Sequence, residues 1–309
     1  MKSHVKTKKI FLASLGLIIV ISALLTIDFN IKSINNNNMI FTKKDLKTSK
    51  TSGKIHINGT SDWIDFKNAG NCTGEGTYSN PYIIEDLVID GGDSGSTIWI
   101  ENSDLFFMIV NCSLTNPGST FAQDASIKLN NTRNGKLINN TIRSTDLGIY
   151  IGLCENNTLI GNDIRTKYGV YMFFSNYNRI FLNNIEGSIF DMFIQNSMNY
   201  NNSITTLNYT YNGKAFTSYL GNHWSGYNGF DNDNNGIGDS PHDFVDGTVL
   251  YVDYYPLIER IENYGIIDRL PPEITINGIP GYNLFLLIAI ICLGSIMVHR
   301  HRKKIIDKK

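Results

Sequence analysis

The chain is poor in the residues that most metalloproteins and many enzymes rely on. Its 309 residues include only 4 cysteines and 6 histidines. No two cysteines form a CxxC pair, which excludes the common thiolate zinc and redox motifs. His4, His299 and His301 lie at the termini, so the body holds only His56, His223 and His242. Ala and Glu are sparse, which argues against a helical bundle. Charge is thin at 18%, and the formal net of −1 hides an asymmetry. Between residues 31 and 283 there are 17 Lys+Arg against 26 Asp+Glu. Such an acidic body excludes nucleic acid as a partner, because that binding depends on basic side chains neutralising phosphates. Cations and neutral polymers fit it better.

What the chain does have is a repeated phrase. A strand of the form apolar-x-apolar recurs as Ile98-Trp99-Ile100, Ile127-Lys128-Leu129, Ile149-Tyr150-Ile151, Val170-Tyr171-Met172 and Met192-Phe193-Ile194. The starts are spaced 29, 22, 21 and 22 residues apart. A second landmark (Cys112, Asn140, Asn162, Asn183) follows each of the first four, two residues before an Ile or Leu. A fixed period of this length signals a solenoid whose units bury their apolar faces only by stacking. The period-2 alternation makes the stacked element a strand. The fold expected is all-β: a right-handed parallel β-helix with an N-terminal cap and a C-terminal closing module, flanked by hydrophobic terminal segments.

Both ends are apolar with basic neighbours. Lys2 to Lys9 precede 18 uncharged residues, Ile10 to Ile27, which read as a signal peptide or a signal-anchor. Leu284 to Val298 is a 15-residue uncharged run followed by His299-Arg300-His301-Arg302-Lys303-Lys304. Extended back through residue 279 it reaches membrane-spanning length. The positive-inside rule then places both termini in the cytoplasm and the body outside. The Pro280-Gly281-Tyr282, short apolar run and basic tail also resemble the C-terminal sorting anchors of archaeal surface proteins. That resemblance implies a tail that is cut and replaced by lipid. The domain plan is therefore a signal segment at 1–27, a polar linker at 28–53, a cap and first strands at 54–95, and coils at 96–220. An acidic closing module at 221–275 and a terminal membrane or sorting segment at 279–309 complete it.

The Asn landmarks are expected to stack as a ladder, each amide bonding its neighbours one coil away. Cys112 takes the first rung. Cys154 falls in a small-residue column with Ser103, Thr132, Ser175 and Ser197, so its size explains it. A Cys72–Cys112 disulfide suits an exported protein. Gly148 and Gly169 precede strands where the chain turns sharply. Eight Asn-x-Ser/Thr sites, at Asn58, Asn71, Asn111, Asn130, Asn139, Asn156, Asn201 and Asn208, open the way to glycosylation outside the cell.

The phrases Ile-Asn-Asn-Thr-Ile (138–142), Ile-Gly-Asn-Asp-Ile (160–164) and Leu-Asn-Asn-Ile (182–185) resemble the NosD-like, carbohydrate-binding and sugar-hydrolase repeat group of parallel β-helix proteins. The segments Gly221-Asn222-His223-Trp224-Ser225-Gly226-Tyr227, Asp231 to Pro241 and Tyr254-Tyr255-Pro256-Leu257 resemble that group's closing module. The family name implies copper handling. The residues do not support it, because the body has no Met/His or Cys cluster for a soft or borderline ion.

Three constellations are candidates for chemistry. The outward column between the inward pairs is Trp99, Lys128, Tyr150, Tyr171 and Phe193. Its aromatic members either pack against the apolar faces of sugar rings or lie under a covering loop as a second core. Asp231-x-Asp233-x-Asn235-Gly236-Ile237-Gly238-Asp239 matches the first nine positions of a Ca²⁺ loop, with Ile237 giving its carbonyl. The Glu expected at the twelfth position is His242, and Asp243 and Asp246 stand nearby as substitutes. The alternative is a Gly/Asn/Asp turn without an ion. For catalysis the coils lack the paired carboxylates a glycosidase needs. Asp191, just before the Phe193 rung, is the first carboxylate to test, and Arg165–Glu186 reads as a surface ion pair. The expectation is a membrane-tethered extracellular β-helix that binds glycans or cell-surface components, or acts in adhesion. A polysaccharide lyase or hydrolase using the same face, and a purely structural surface-layer component, are the alternatives.

Overall fold

The computed structural model describes residues 50–267, apart from 145 and 247–248, and excludes the side chains of 245–250. Both terminal apolar segments, most of the linker and the end of the closing module lie outside the described residues. Among the described residues no helix is long and apolar enough to cross a membrane.

The chain opens with β1 (Lys50–Ser52), β2 (Ile55–Asn58) and α1 (Gly59–Asn68). The first coils hold β3 (Tyr82–Glu85), β4 (Leu87–Asp90), β5 (Ile98–Ser103), β6 (Phe107–Val110) and β7 (Ser113–Thr115). They continue as β8 (Ile127–Thr132), β9 (Gly135–Ile138), β10 (Thr141–Arg143), β11 (Leu147–Gly152) and β12 (Thr158–Ile160). The last coils are built on β13 (Asp163–Phe173), β14 (Arg179–Phe181) and β15 (Asn184–Gln195). Each strand pairs in parallel with its equivalent one coil away, in three stacks. One stack is β1-β4-β7-β10-β13, a second is β2-β5-β8-β11-β13, and a third is β3-β6-β9-β12-β14. The long β13 and β15 turn the corner between the first two stacks, so those merge into one sheet. This is the expected parallel β-helix, in the right-handed sense that parallel connections take.

Period 2 explains which side chains fill the interior. Ile98, Ile100, Ile127, Leu129, Ile149, Ile151, Val170 and Met172 are all fully buried in one continuous core. The doubled asparagines have a second explanation. In Asn139-Asn140 the first residue has φ 53°, a left-handed corner, and the second is fully buried. The same corner is occupied by Asp86, Asn111, Gly161 and Leu182, at φ 55°, 53°, 71° and 53°. Asn and Gly are the residues that tolerate this conformation best.

The buried asparagines form the expected ladder. Asn140 donates from its backbone N–H and its Nδ2 to Asn162 Oδ1 at 3.0 Å each. Asn162 repeats this toward Asn183 at 2.9 Å, and Asn183 toward Asn222 at 3.2 and 2.9 Å. Cys112 joins through its N–H, 3.0 Å from Asn140 Oδ1. A second ladder, Asn157–Asn178–Asn199, runs along another corner.

The ends are closed by different elements. Trp63 of α1 is fully buried against the first coil. At the other end stand β16 (Leu207–Tyr211), β17 (Lys214–Ser218), β18 (His223–Trp224), β19 (His242–Asp246), β20 (Val249–Asp253) and β21 (Tyr264–Ile266). Phe244 joins the solenoid core there.

Four expectations need correction. Residues 50–52, assigned to the linker, form β1 and pair with β4. Residues 207–218, assigned to the coils, form the antiparallel hairpin β16–β17. Asn212 and Gly213, at φ 49° and 76°, make the turn that a two-residue Asn-Gly hairpin requires. Cys72 and Cys112 are both free. Burial pushes the Cys112 thiol up to about 12. Gly148 and Gly169 are needed for close stacking rather than for turning. A Cβ on Gly169 would lie 2.1 Å from the Asp191 carbonyl oxygen, and one on Gly148 2.7 Å from that of Gly169.

Candidate ligand-binding face

Strand register decides what can share a face. His56 pairs with Trp99, Trp99 with Lys128, Lys128 with Tyr150, Tyr150 with Tyr171, and Tyr171 with Phe193. Trp99, Tyr150, Tyr171 and Phe193 therefore stand in one outward column, as the repeat implied, with His56 as an added first rung. The His56 ring stacks on Trp99 at 4.2 Å, and His56 Nε2 lies 2.8 Å from Glu101 Oε1. Lys128 Nζ sits over the Trp99 ring at 4.4 Å and donates to the Gln123 carbonyl at 2.8 Å. Burial lowers the Lys128 ammonium pKa and raises that of the Tyr150 phenol.

The question of cover or platform has a divided answer. Phe121 stacks on Tyr171 at 5.5 Å and meets Tyr168 edge-on at 4.9 Å. Tyr171 is consequently only 8% exposed. Phe121 itself is 46% exposed and Phe193 36%, so the outer layer remains open. Phe121 belongs to the extra length of the 29-residue first interval. That break in the period was the sequence signal for a segment folding over the column. The rings of Phe121, Tyr150, Tyr168, Tyr171, Phe173, Phe174, Phe190 and Phe193 form one connected network. Tyr168, Phe173, Phe174 and Phe190 escaped the sequence reading because they lie outside the central strand position.

Asp191 is not part of this face. Its Oδ1 accepts from Gly187 N–H at 2.7 Å and Ser225 Oγ at 2.6 Å, and its Oδ2 accepts from Gly226 N–H at 2.7 Å. It is 8% exposed and ties β15 to the closing module. Arg165 pairs with Glu186 at 3.2 Å, as expected, within a larger network. Arg260 bonds Glu186 and, at 2.9 Å, Asp163, which also takes Arg143. Burial pushes the Asp163 carboxyl up, but its bonds to Arg143 and Arg260 outweigh that and hold it below the usual range.

In the Asp/Asn loop the carboxylates serve as turn caps. Asp231 accepts from Asn235 N–H at 3.0 Å and Gly236 N–H at 2.8 Å. Asp233 takes the Asn235 side chain at 2.9 Å, and Asp239 takes Asn232 N–H at 2.8 Å. The carbonyl of Asn235 accepts from Tyr209, while Ile237 N–H donates to Asn235 Oδ1. Among the described residues no three His, Cys, Asp or Glu side chains gather as a metal-holding group. His242 is packed among Trp224, Tyr227 and Phe244 rings, and burial lowers its pKa as it does that of His223.

Comparison with known proteins agrees with this architecture. The family model described as "Periplasmic copper-binding protein (NosD)" matches residues 3–229. No curated protein and no solved structure matches the chain. A match over most of the chain, on a stacked parallel solenoid, shows that this protein belongs to the NosD family.

Proposed function

We propose that the chain is a surface-displayed β-helix that binds carbohydrate along its outward aromatic face. The observation that carries this reading is the open ring network around Phe121, Tyr150 and Phe193 on a rigid strand stack. Sugar rings present apolar C–H faces, and a rigid aromatic array receives them without ordering cost. The acidic body suits a neutral polymer better than an anionic one. The basic-apolar segments at both ends support tethering to a membrane with the body outside.

The family description names copper, and the described residues do not fit it. Copper favours imidazole and sulfur donors. The three body histidines are held apart in separate packing, His56 against Glu101 and His242 within aromatic rings. The Cys112 and Cys154 thiols are buried in the core. No step of the proposed function passes through a metal.

On an immobilised insoluble neutral polysaccharide the full chain should be retained. The double variant Tyr150→Ala/Phe193→Ala should bind at least about tenfold more weakly, equivalent to ~1.4 kcal/mol. Its thermal midpoint should change little, because both rings are partly exposed. Retention equal to that of the parent would refute binding at this face.

A further inference from the structure

The last coil and the antiparallel β19–β20 hairpin leave an open groove of about 460 Å³ between them, within the range of small-ligand sites. Asn176, Asn196 and Met198 line one wall, and Tyr251, Val252 and Tyr254 the other. Among the described residues no charged side chain lines it. This separates it from the groove over β13 and β15, which Arg165, Lys167 and Glu186 line.

Its polar atoms are partly free. Asn176 Oδ1 is taken by Met198 N–H at 2.9 Å, but its Nδ2 group has no partner among the described residues. Asn196 sits at a left-handed corner, φ 50°, and is exposed, with no hydrogen-bond partner for its carboxamide among the described residues. Tyr251 OH accepts from Ser197 N–H at 3.2 Å, so its own proton remains to be donated. Beside these groups Met198 and Tyr254 are each 64% exposed. The surface thus combines an aromatic ring, a thioether and three uncommitted polar groups without a formal charge.

We infer that this groove is a second ligand site, for a short neutral saccharide. A sugar offers hydroxyls to the amides and phenol, and a C–H face to Tyr254. A charged ligand would be desolvated here with no counter-ion to receive it. The inference rests on side chains separate from the aromatic face, so either site can fail alone.

The test is calorimetric titration of the full chain in detergent with cellotetraose, maltotetraose, mannotetraose and, as a charged control, tetragalacturonate. At least one neutral tetrasaccharide should bind. Tyr254→Ala and Asn196→Ala should each weaken it about fivefold or more, with unchanged thermal midpoints because both side chains are exposed. Because Tyr150→Ala/Phe193→Ala removes the aromatic face, a binding step sensitive to Tyr254→Ala should remain in that background. The inference is overturned by no neutral binding, by affinity in the Tyr150→Ala/Phe193→Ala background that survives Tyr254→Ala/Asn196→Ala, or by equally tight tetragalacturonate. Loss of binding only in Tyr150→Ala/Phe193→Ala assigns the sugar to the aromatic face and equally overturns the groove.

Discussion

Asp253→Ala is expected to destabilise the protein by roughly 3–5 kcal/mol at neutral pH, because it strands several hydrogen-bond donors at once. The reason lies in the logic of the ladder. Each rung needs the next residue's Oδ1 to accept its N–H and its Nδ2. Asn222 is the last asparagine of the ladder; its Nδ2 reaches the Ile180 carbonyl at 2.9 Å, but its backbone N–H requires an acceptor from outside the coils. Asp253 Oδ2 receives Asn222 N–H at 2.9 Å and Trp224 Nε1–H at 2.8 Å, while Oδ1 receives Tyr255 N–H at 3.0 Å. The carboxylate is fully buried, and Gly221 stands so close that a Cβ there would lie 2.1 Å from Oδ1. Truncation strands two buried donors and one partly buried donor at once, each buried one costing ~1–3 kcal/mol.

The same variant carries a pH signature. Burial pushes the Asp253 carboxyl up to about 6 against its ordinary 3.8, outweighing the donors that favour the ionised form. The folded state therefore holds the proton more tightly than the unfolded chain. Stability from this group is fully present below about 3.8 and is lost as pH rises through about 6. His223 and His242, whose lowered values act in the opposite sense, are present in parent and variant and cancel. Urea unfolding at pH 7.5 and pH 5 should show a larger parent-minus-variant gap at pH 5. An equal gap at both would remove the titration, and a gap under 1 kcal/mol would remove the ladder-capping role.

Asp253 also marks where the sequence stopped being legible. The rungs from Cys112 to Asn183 could be read because they recur in register with the inward aliphatic pairs. Asn222 and Asp253 continue the ladder after breaks of 39 and 31 residues, and the last rung is a different residue type. Periodicity cannot find a rung outside the period. The aromatic column was legible in the same way, since Trp99, Tyr150, Tyr171 and Phe193 share one strand position. Its extent was not, because Phe121 arrives from an insertion and Phe190 and Tyr168 from the corner of the long strands. The Asp231–Asp239 pattern shows the opposite difficulty. The residue types suited to hard cations are also those that cap tight turns, and spacing alone does not distinguish the two uses.

At the opposite end Trp63→Ala should cost about 3–5 kcal/mol, the usual range for a fully buried large aromatic. Trp63 stacks on Tyr82 at 4.8 Å and leans on Phe107 at 5.5 Å, sealing the first coil. Its Nε1–H donates to Ser103 Oγ at 3.1 Å. Ser103 heads the small-residue column, in which Cys154 N–H donates to Ser175 Oγ at 2.9 Å and Ser175 N–H to Ser197 Oγ at 2.8 Å. Tyr251 OH closes that column at its far end. Trp63→Phe keeps most of the ring but drops the donor, and should cost only ~1–2 kcal/mol. Coils couple mainly to their neighbours, so the loss should be local at first. Hydrogen exchange in Trp63→Ala should accelerate in β2, β3 and β5 well before β13 and β15. Uniform acceleration along all the coils would show instead that the solenoid opens as a single unit and that α1 is no more than one part of its core.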